Sequence, residues 1–242
     1  MKIATWNVNS LRVRLPHVLQ WLAAVQPDVL AIQETKTVDV QFPLAELQAA
    51  GYSAVFAGQK TYNGVAIIAR SPIEDVIINL PQFDDPQKRV ITATVEGVRL
   101  IGAYIPNGQS LDSEKYPYKL AWLDAMTEFI TEQLKQYPKL ALLGDYNIAP
   151  EDRDVHDIKK WEGGVLVSPA ERAIFANFIQ LGLVDCFRMF EQAEKSFSWW
   201  DYRMAGFRRD LGLRIDLTLV SDALRESAQA SGIDREPRTW ER

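Results

Sequence analysis

The chain contains one cysteine, Cys186, and two histidines, His17 and His156, among 242 residues. A lone thiol cannot build an intramolecular disulfide framework, and without a Cys/His cluster there is no ligand set for a structural zinc site. A reducing, cytoplasmic setting is expected. No apolar run is long enough to span a bilayer, and the sequence opens on a strand-like segment instead of a charged-then-apolar leader. Neither membrane insertion nor secretion is therefore expected. No Pro/Ser/Gly-rich linker, repeat or low-complexity stretch intervenes, so residues 1–242 read as one domain, with 47% hydrophobic content to fill its core. A basic excess is missing too: 27 basic and 32 acidic residues give a formal charge of -5. That balance does not advertise nucleic-acid binding, yet it does not exclude it. A local field steers DNA, and metal-binding carboxylates lower the total.

What is present is a recurring pattern of apolar strands that end in polar groups. Ile3–Val8 delivers Asn7, and Val29–Ile32 delivers Gln33-Glu34-Thr35-Lys36. Lys139-Leu-Ala-Leu-Leu-Gly-Asp-Tyr-Asn-Ile-Ala-Pro150 releases Asp145 and Asn147 at spacing i, i+2, which on an extended backbone aims both to one side. Taken alone, Gly-Asp after a strand is also ordinary turn chemistry. A strand over 214–220 carries Asp216. Between these lie a helix with Pro16 near its start running to about Val25, helix-like residues 43–50, and strands 52–56 and 64–69. Val90–Val95 and Val98–Tyr104 form a hairpin over Glu96-Gly97. Leu120, Leu123, Ile130 and Leu134 mark an amphipathic helix, and Ser168-Pro-Ala-Glu171 is a capping box opening a helix to about Leu181. Alternating strands and helices broken by a hairpin predict an α/β fold of mixed sheets with helices outside.

An ionised carboxylate in such apolar surroundings costs several kcal/mol, in order of magnitude, unless paired or bound to a cation. Each polar residue singly can be a capped strand end. Asn7, Glu34, Asp145, Asn147 and Asp216 together are all oxygen-bearing and lack thiolate or imidazole, which suits a hard cation, Mg²⁺ or Mn²⁺, and hence phosphoryl chemistry.

Trp6-Asn-Val-Asn9, Ile32-Gln-Glu-Thr-Lys36, Tyr104-Ile-Pro-Asn107, Leu143-Gly-Asp-Tyr-Asn147 and Leu213-Arg-Ile-Asp-Leu217 resemble, in order, the successive motifs of the exonuclease III family of abasic-site endonucleases, within the endonuclease/exonuclease/phosphatase superfamily. The resemblance is closer to the bacterial than to the animal enzymes. It implies a four-layer α/β sandwich, with two mostly antiparallel mixed sheets face to face and helices outside. It implies a divalent metal held chiefly by Glu34 with Asn7 nearby, Asp145 orienting or deprotonating water, Asn147 and Tyr104 on the scissile phosphate, and Asp216 orienting metal or side chains. The implied activity is Mg²⁺-dependent DNA repair; polar termini and the absence of exposed heptads make a monomer the default. The backbone would be cleaved 5′ to abasic sites in double-stranded DNA, and nucleotides or blocking groups would be removed from 3′ ends.

Substrate contacts carried over by resemblance are Lys36, Tyr62, Asn63 and Asn107, with donors suited to phosphate oxygens. Trp199, Leu213 and Ile215 resemble the apolar wall around an extruded deoxyribose, with ordinary core packing as the alternative for Trp199-Trp200. Arg203, Arg208 and Arg209 either track the backbone or form a solvated loop.

The resemblance departs at the end. The family closes on a strand bearing Ser-Asp-His, whereas residues 236–242 read Glu-Pro-Arg-Thr-Trp-Glu-Arg. A C-terminally incomplete domain lacking its last strand is the expectation, and His17 and His156 lie in an outer helix and a polar connection. Two further readings follow: a catalytically impaired DNA- or metal-binding form, and a phosphatase for inositol or another small phosphoester.

Overall fold

The computed structural model describes residues 1–240; Glu241 and Arg242, at the end of the terminal segment, lie outside the described residues. In chain order the elements are β1 (Ile3–Asn7), α1 (Leu11–Val25), β2 (Val29–Gln33), α2 (Leu44–Ala49), β3 (Ser53–Ala57), β4 (Val65–Ala69), β5 (Glu74–Ile78), β6 (Val90–Val95), β7 (Val98–Tyr104) and α3 (Lys115–Gln136). There follow β8 (Leu140–Asp145), α4 (Ile158–Trp161), α5 (Pro169–Gln180), β9 (Leu183–Asp185), β10 (Trp199–Trp200), β11 (Gly212–Leu213), β12 (Asp216–Ser221) and α6 (Asp222–Arg225). The fold is mixed α/β, built on two mixed sheets with helices, as expected, and neither sheet closes into a barrel. Among the described residues no strand follows β12, and no helix is long and apolar enough to cross a membrane. The chain divides into two compact units, Met1–Tyr104 with Lys139–Asp145 and Asp234–Arg242, and Ile105–Pro138 with Tyr146–Ile233.

In the first unit, β1 pairs parallel with β2, and β4 lies antiparallel between β2 and β3. Strands β5, β6 and β7 run antiparallel, and β8 joins β7 in parallel. Both β2 and β4 are continuous apolar runs because both of their faces are covered. Leu30, Ile32, Ala66 and Ile68 meet Leu11, Val18, Trp21 and Leu22 of α1. On the opposite face β1, β2 and β4 pack over β6, β7 and β8. The Glu96-Gly97 turn has φ of 48° and 74°, the pair of positive angles that matches the twist of a two-residue hairpin.

Two elements differ from the sequence reading. Helix α1 begins at Leu11, with Pro16 inside it, because the Ser10 and Leu11 N–H groups donate to the Glu34 and Thr35 carbonyls and start the helix a turn early. Strand β5 was not anticipated. It is an exposed edge whose register shifts between Glu74 and Ile77, and that bulge erases the alternation by which a strand is recognised.

In the second unit α3 packs on α5, and β9 pairs antiparallel with β12. Ser168 caps α5 as expected: its hydroxyl accepts from the Glu171 N–H while the Glu171 carboxylate accepts from the Ser168 N–H, an arrangement worth about 1 kcal/mol. The buried Arg214 guanidinium donates to Asp154 at 2.6 Å and to Asp185 at 2.7 Å, and Arg188 also pairs with Asp154. Through Arg214 these bonds tie the 151–155 turn to the end of β9. A buried charge is tolerable only when paired in this way.

Candidate active site

Asn7, Glu34, Tyr104 and Asp145 stand at the ends of β1, β2, β7 and β8. Parallel pairing aligns Asn7 with Gln33 and Tyr104 with Asp145, so four polar groups leave neighbouring strands at one end. The Asn7 side-chain amide donates to Glu34 Oε1 at 2.7 Å and to Asp145 Oδ2 at 2.8 Å, bridging two carboxylates. Its Oδ1 accepts from the Asn9 N–H at 3.0 Å, which orients the amide. Lys36 Nζ sits 2.7 Å from Glu34 Oε2 and 2.5 Å from Asn9 Oδ1.

The Glu34 loop is held in an unusual backbone. Glu34 and Lys36 both adopt the left-handed region, at φ of 54° and 51°. The Thr35 and Lys36 N–H groups donate to the Gly64 and Asn63 carbonyls, and a Cβ on Gly64 would lie 2.0 Å from Thr35 Oγ1. Only glycine permits that approach. Left-handed non-glycine residues kept in place by surrounding bonds are a mark of functional loops.

Burial would push the Glu34 carboxyl up, but the Asn7 and Lys36 hydrogen bonds, the Lys36 charge and the Tyr104 hydroxyl together bring it below its ordinary range. Burial pushes the Tyr104 hydroxyl far up, and the Glu34 and Asp145 charges add to this. Tyr104 therefore remains a protonated donor. Arg89, which the sequence reading missed, lies with its guanidinium 4.9 Å from the Tyr104 ring centre and donates to the Tyr104 carbonyl at 3.2 Å. It also donates to Gln87 Oε1, which accepts from Asn63 as well. The signal that could have found it is the Glu96-Gly97 hairpin register: with Val90 opposite Ala103, Arg89 falls opposite Tyr104, and the Tyr104 N–H donates to the Arg89 carbonyl at 2.8 Å.

The other expected residues are placed as follows. Asn63 is buried in that amide network, while Tyr62 beside it is 67% exposed. In the second unit Asn107 Nδ2 donates to Asn147 Oδ1 at 2.8 Å, and Asn147 Nδ2 donates to the Ile105 carbonyl at 3.0 Å. Asp216 opens β12, with its N–H on Ser198 Oγ at 3.0 Å. Trp199 pairs with Leu213 across β10 and β11 and is half-buried. Leu213 and Ile215 are closed into a cluster with Ala149, Val155, Leu166 and Val167. Arg203 is exposed and paired with Asp201 at 2.8 Å. His17 packs against Trp240, and His156 Nδ1 lies 3.2 Å from the Gly212 carbonyl.

The donor set at the strand tips fits a hard divalent cation. Glu34 and Asp145 supply carboxylate oxygens, while Asn7 turns its amide nitrogen toward them and its oxygen toward the Asn9 N–H. Among the described residues no cluster of three or more His, Cys, Asp or Glu forms a metal cage. Mg²⁺ characteristically takes one or two carboxylates and keeps several waters. Lys36 already places a positive charge on Glu34 and would compete with such an ion. Lys36→Met is expected to bind Mg²⁺ about fivefold more tightly, equivalent to ~1 kcal/mol for displacing a partly exposed pair. Isothermal calorimetry measures this, and an unchanged or weaker affinity would show that the ammonium does not compete.

Residues 4–239 match the Endonuclease/Exonuclease/phosphatase family. Exodeoxyribonuclease III of Haemophilus influenzae is 34% identical over 256 residues, covering 100% of this chain and 96% of that protein. A 3′ phosphatase from Neisseria, solved bound to a product DNA hairpin, is 49% identical with a TM-score of 0.98, covering 100% of this chain and 95% of the other. An AP endonuclease from Archaeoglobus fulgidus is 38% identical with a TM-score of 0.96, covering 100% and 94%. With its strand-tip carboxylates and these full-length likenesses, the chain belongs to the endonuclease/exonuclease/phosphatase family and is a hydrolase of the exodeoxyribonuclease III and AP endonuclease kind.

Proposed function

We propose that this protein is a Mg²⁺-dependent DNA-repair phosphodiesterase that cleaves 5′ to abasic sites in double-stranded DNA and clears nucleotides or phosphate blocks from 3′ ends, acting as a cytoplasmic monomer. The observation that carries this reading is the Asn7 amide bridging Glu34 and Asp145 beside a protonated Tyr104. The likeness to a 3′ phosphatase bound to a DNA hairpin supports the 3′-end activity, and the likeness to an AP endonuclease supports the abasic-site activity.

Bound Mg²⁺, for which Mn²⁺ could substitute, offsets charge on the phosphate and on the departing oxygen. Glu34 would hold the ion, with Asn7 fixing the carboxylate. Asp145 orients the attacking water and takes its proton as the new oxygen–phosphorus bond forms. The bond to the 3′ oxygen breaks, and that oxygen takes a proton from solvent to leave as a 3′-hydroxyl. Tyr104 and the Asn147 amide donate to phosphate oxygens, where preorganised donors act most strongly as charge develops. Asp216 orients side chains. Lys36, Tyr62, Asn63, Asn107 and Arg203 contact the DNA, and Trp199, Leu213 and Ile215 shape the sugar wall.

The test is single-turnover cleavage of a duplex with one abasic analogue, and of a hairpin ending in a 3′-phosphate. Each is run with Mg²⁺ and then with EDTA. Cleavage in Mg²⁺ that EDTA abolishes is the expected result. Binding without cleavage would overturn it in favour of the impaired DNA-binding form, and preference for an inositol phosphate would favour a small-molecule phosphatase.

A further inference from the structure

Lys119 is the most deeply buried cation of the second unit that no strand-tip chemistry uses. Its side chain and that of Glu171 are both 0% exposed. Lys119 lies one turn before Trp122 and Leu123 on the buried stripe of α3, a place that packing alone would give to an apolar residue. Its ammonium donates to three oxygens: the Asn147 carbonyl at 2.7 Å, the Asn107 carbonyl at 3.2 Å and the Glu171 carboxylate. Those two carbonyls belong to the very residues whose side-chain amides bond to each other, Asn107 Nδ2 to Asn147 Oδ1. Glu171 is engaged in turn by the Leu166 N–H at 3.0 Å and the Ser168 N–H at 2.9 Å, so it is anchored at the start of α5. Ser168 Oγ lies 2.6 Å from the Tyr116 hydroxyl, closing the network back onto α3.

A buried ion pair is a poor stabiliser, since desolvation offsets much of its attraction, and its retention calls for another cause. Here the ammonium holds two loop carbonyls, those of Asn107 and Asn147, and is neutralised by the Glu171 carboxylate. Asn147 holds a left-handed backbone, φ 47°, with its side chain bonded to Ile105 and Asn107 and its carbonyl accepting from the Lys119 ammonium. We infer that Lys119, neutralised by Glu171, is a positioning residue that sets the backbone of Asn107 and Asn147 and thereby aims their paired amides. This rests on the proposed role of those amides at phosphate.

The experiment separates the two claims. The double variant Lys119→Met with Glu171→Gln removes both charges and keeps the acceptor that caps α5, so it is expected to fold. On the abasic duplex kcat should fall about 10²-fold, the cost of misplacing a reacting group by an ångström. KM should stay within about threefold, as for an interaction made in the transition state. In amide NMR of the same variant, the Asn107 and Asn147 side-chain signals should lose their separate shifts. A folded double variant with kcat within about threefold of the parent and unchanged Asn signals overturns the inference. Should the double variant not fold, the unaltered protein decides: a slowly exchanging Lys119 ammonium signal is expected, and its absence rules out the clamp. If the unaltered protein cleaves neither DNA, the proposed function fails while the NMR result still judges the positioning.

Discussion

Asp145→Asn is expected to lower single-turnover cleavage about 10³-fold, within the range for removing a positioned acid–base group. Asp145 is buried at the tip of β8 and accepts the Asn7 amide at 2.8 Å. A carboxamide keeps its size but cannot take a proton from water, and it turns an acceptor facing Asn7 into a group that must flip to preserve the bond. Stability should move the other way. Glu34 and Asp145 share one amide donor, and removing one of two neighbouring negative charges relieves repulsion in the metal-free protein. A melting temperature at or above that of the parent, with cleavage lost, assigns Asp145 to chemistry. Cleavage within about tenfold of the parent would remove it from that role.

Gly144→Ala is expected to cost about 4 kcal/mol or more, or to prevent folding. A Cβ at Gly144, where φ is 152°, would lie 1.9 Å from the Ala103 carbonyl oxygen and 2.8 Å from its carbon. The obstruction is backbone of the partner strand, so no side-chain rotation relieves it. Because β7 and β8 align Ala103 with Gly144 and Tyr104 with Asp145, the close approach and the site geometry are set by the same register. Gly97 is the control: its φ is 74° but a Cβ there meets nothing within 4 Å, so Gly97→Ala should cost only the left-handed strain of about 1–2 kcal/mol. Urea denaturation of both variants measures the difference, and equal losses would refute the steric account.

Most elements were legible in the sequence because their causes are local. The runs leading to Glu34 and Asp145 are continuous and apolar, and their strands are buried on both faces, whereas the strand leading to Asn7 is half-buried. The Glu96-Gly97 hairpin and the Ser168–Glu171 capping box are satisfied within four residues. Where local signals conflict, the reading slipped. Pro16 suggested a helix start that the Glu34 and Thr35 carbonyls had already supplied at Leu11, and the bulge in β5 hid its period.

By itself the sequence determined which residues could act: acidic and amide side chains at strand ends, without thiolate or imidazole, a set that suits a hard cation and a phosphoryl group. Only the tertiary structure decided how they are joined. Asn7 reaches Glu34 across 27 residues and Asp145 across 138, and Lys119 meets Glu171 across 52. Those distances are closed by strand register and by helix packing, which no local window contains. For the same reason a lysine on an apolar stripe could not be recognised as a buried clamp until the carboxylate that neutralises it was seen beside it.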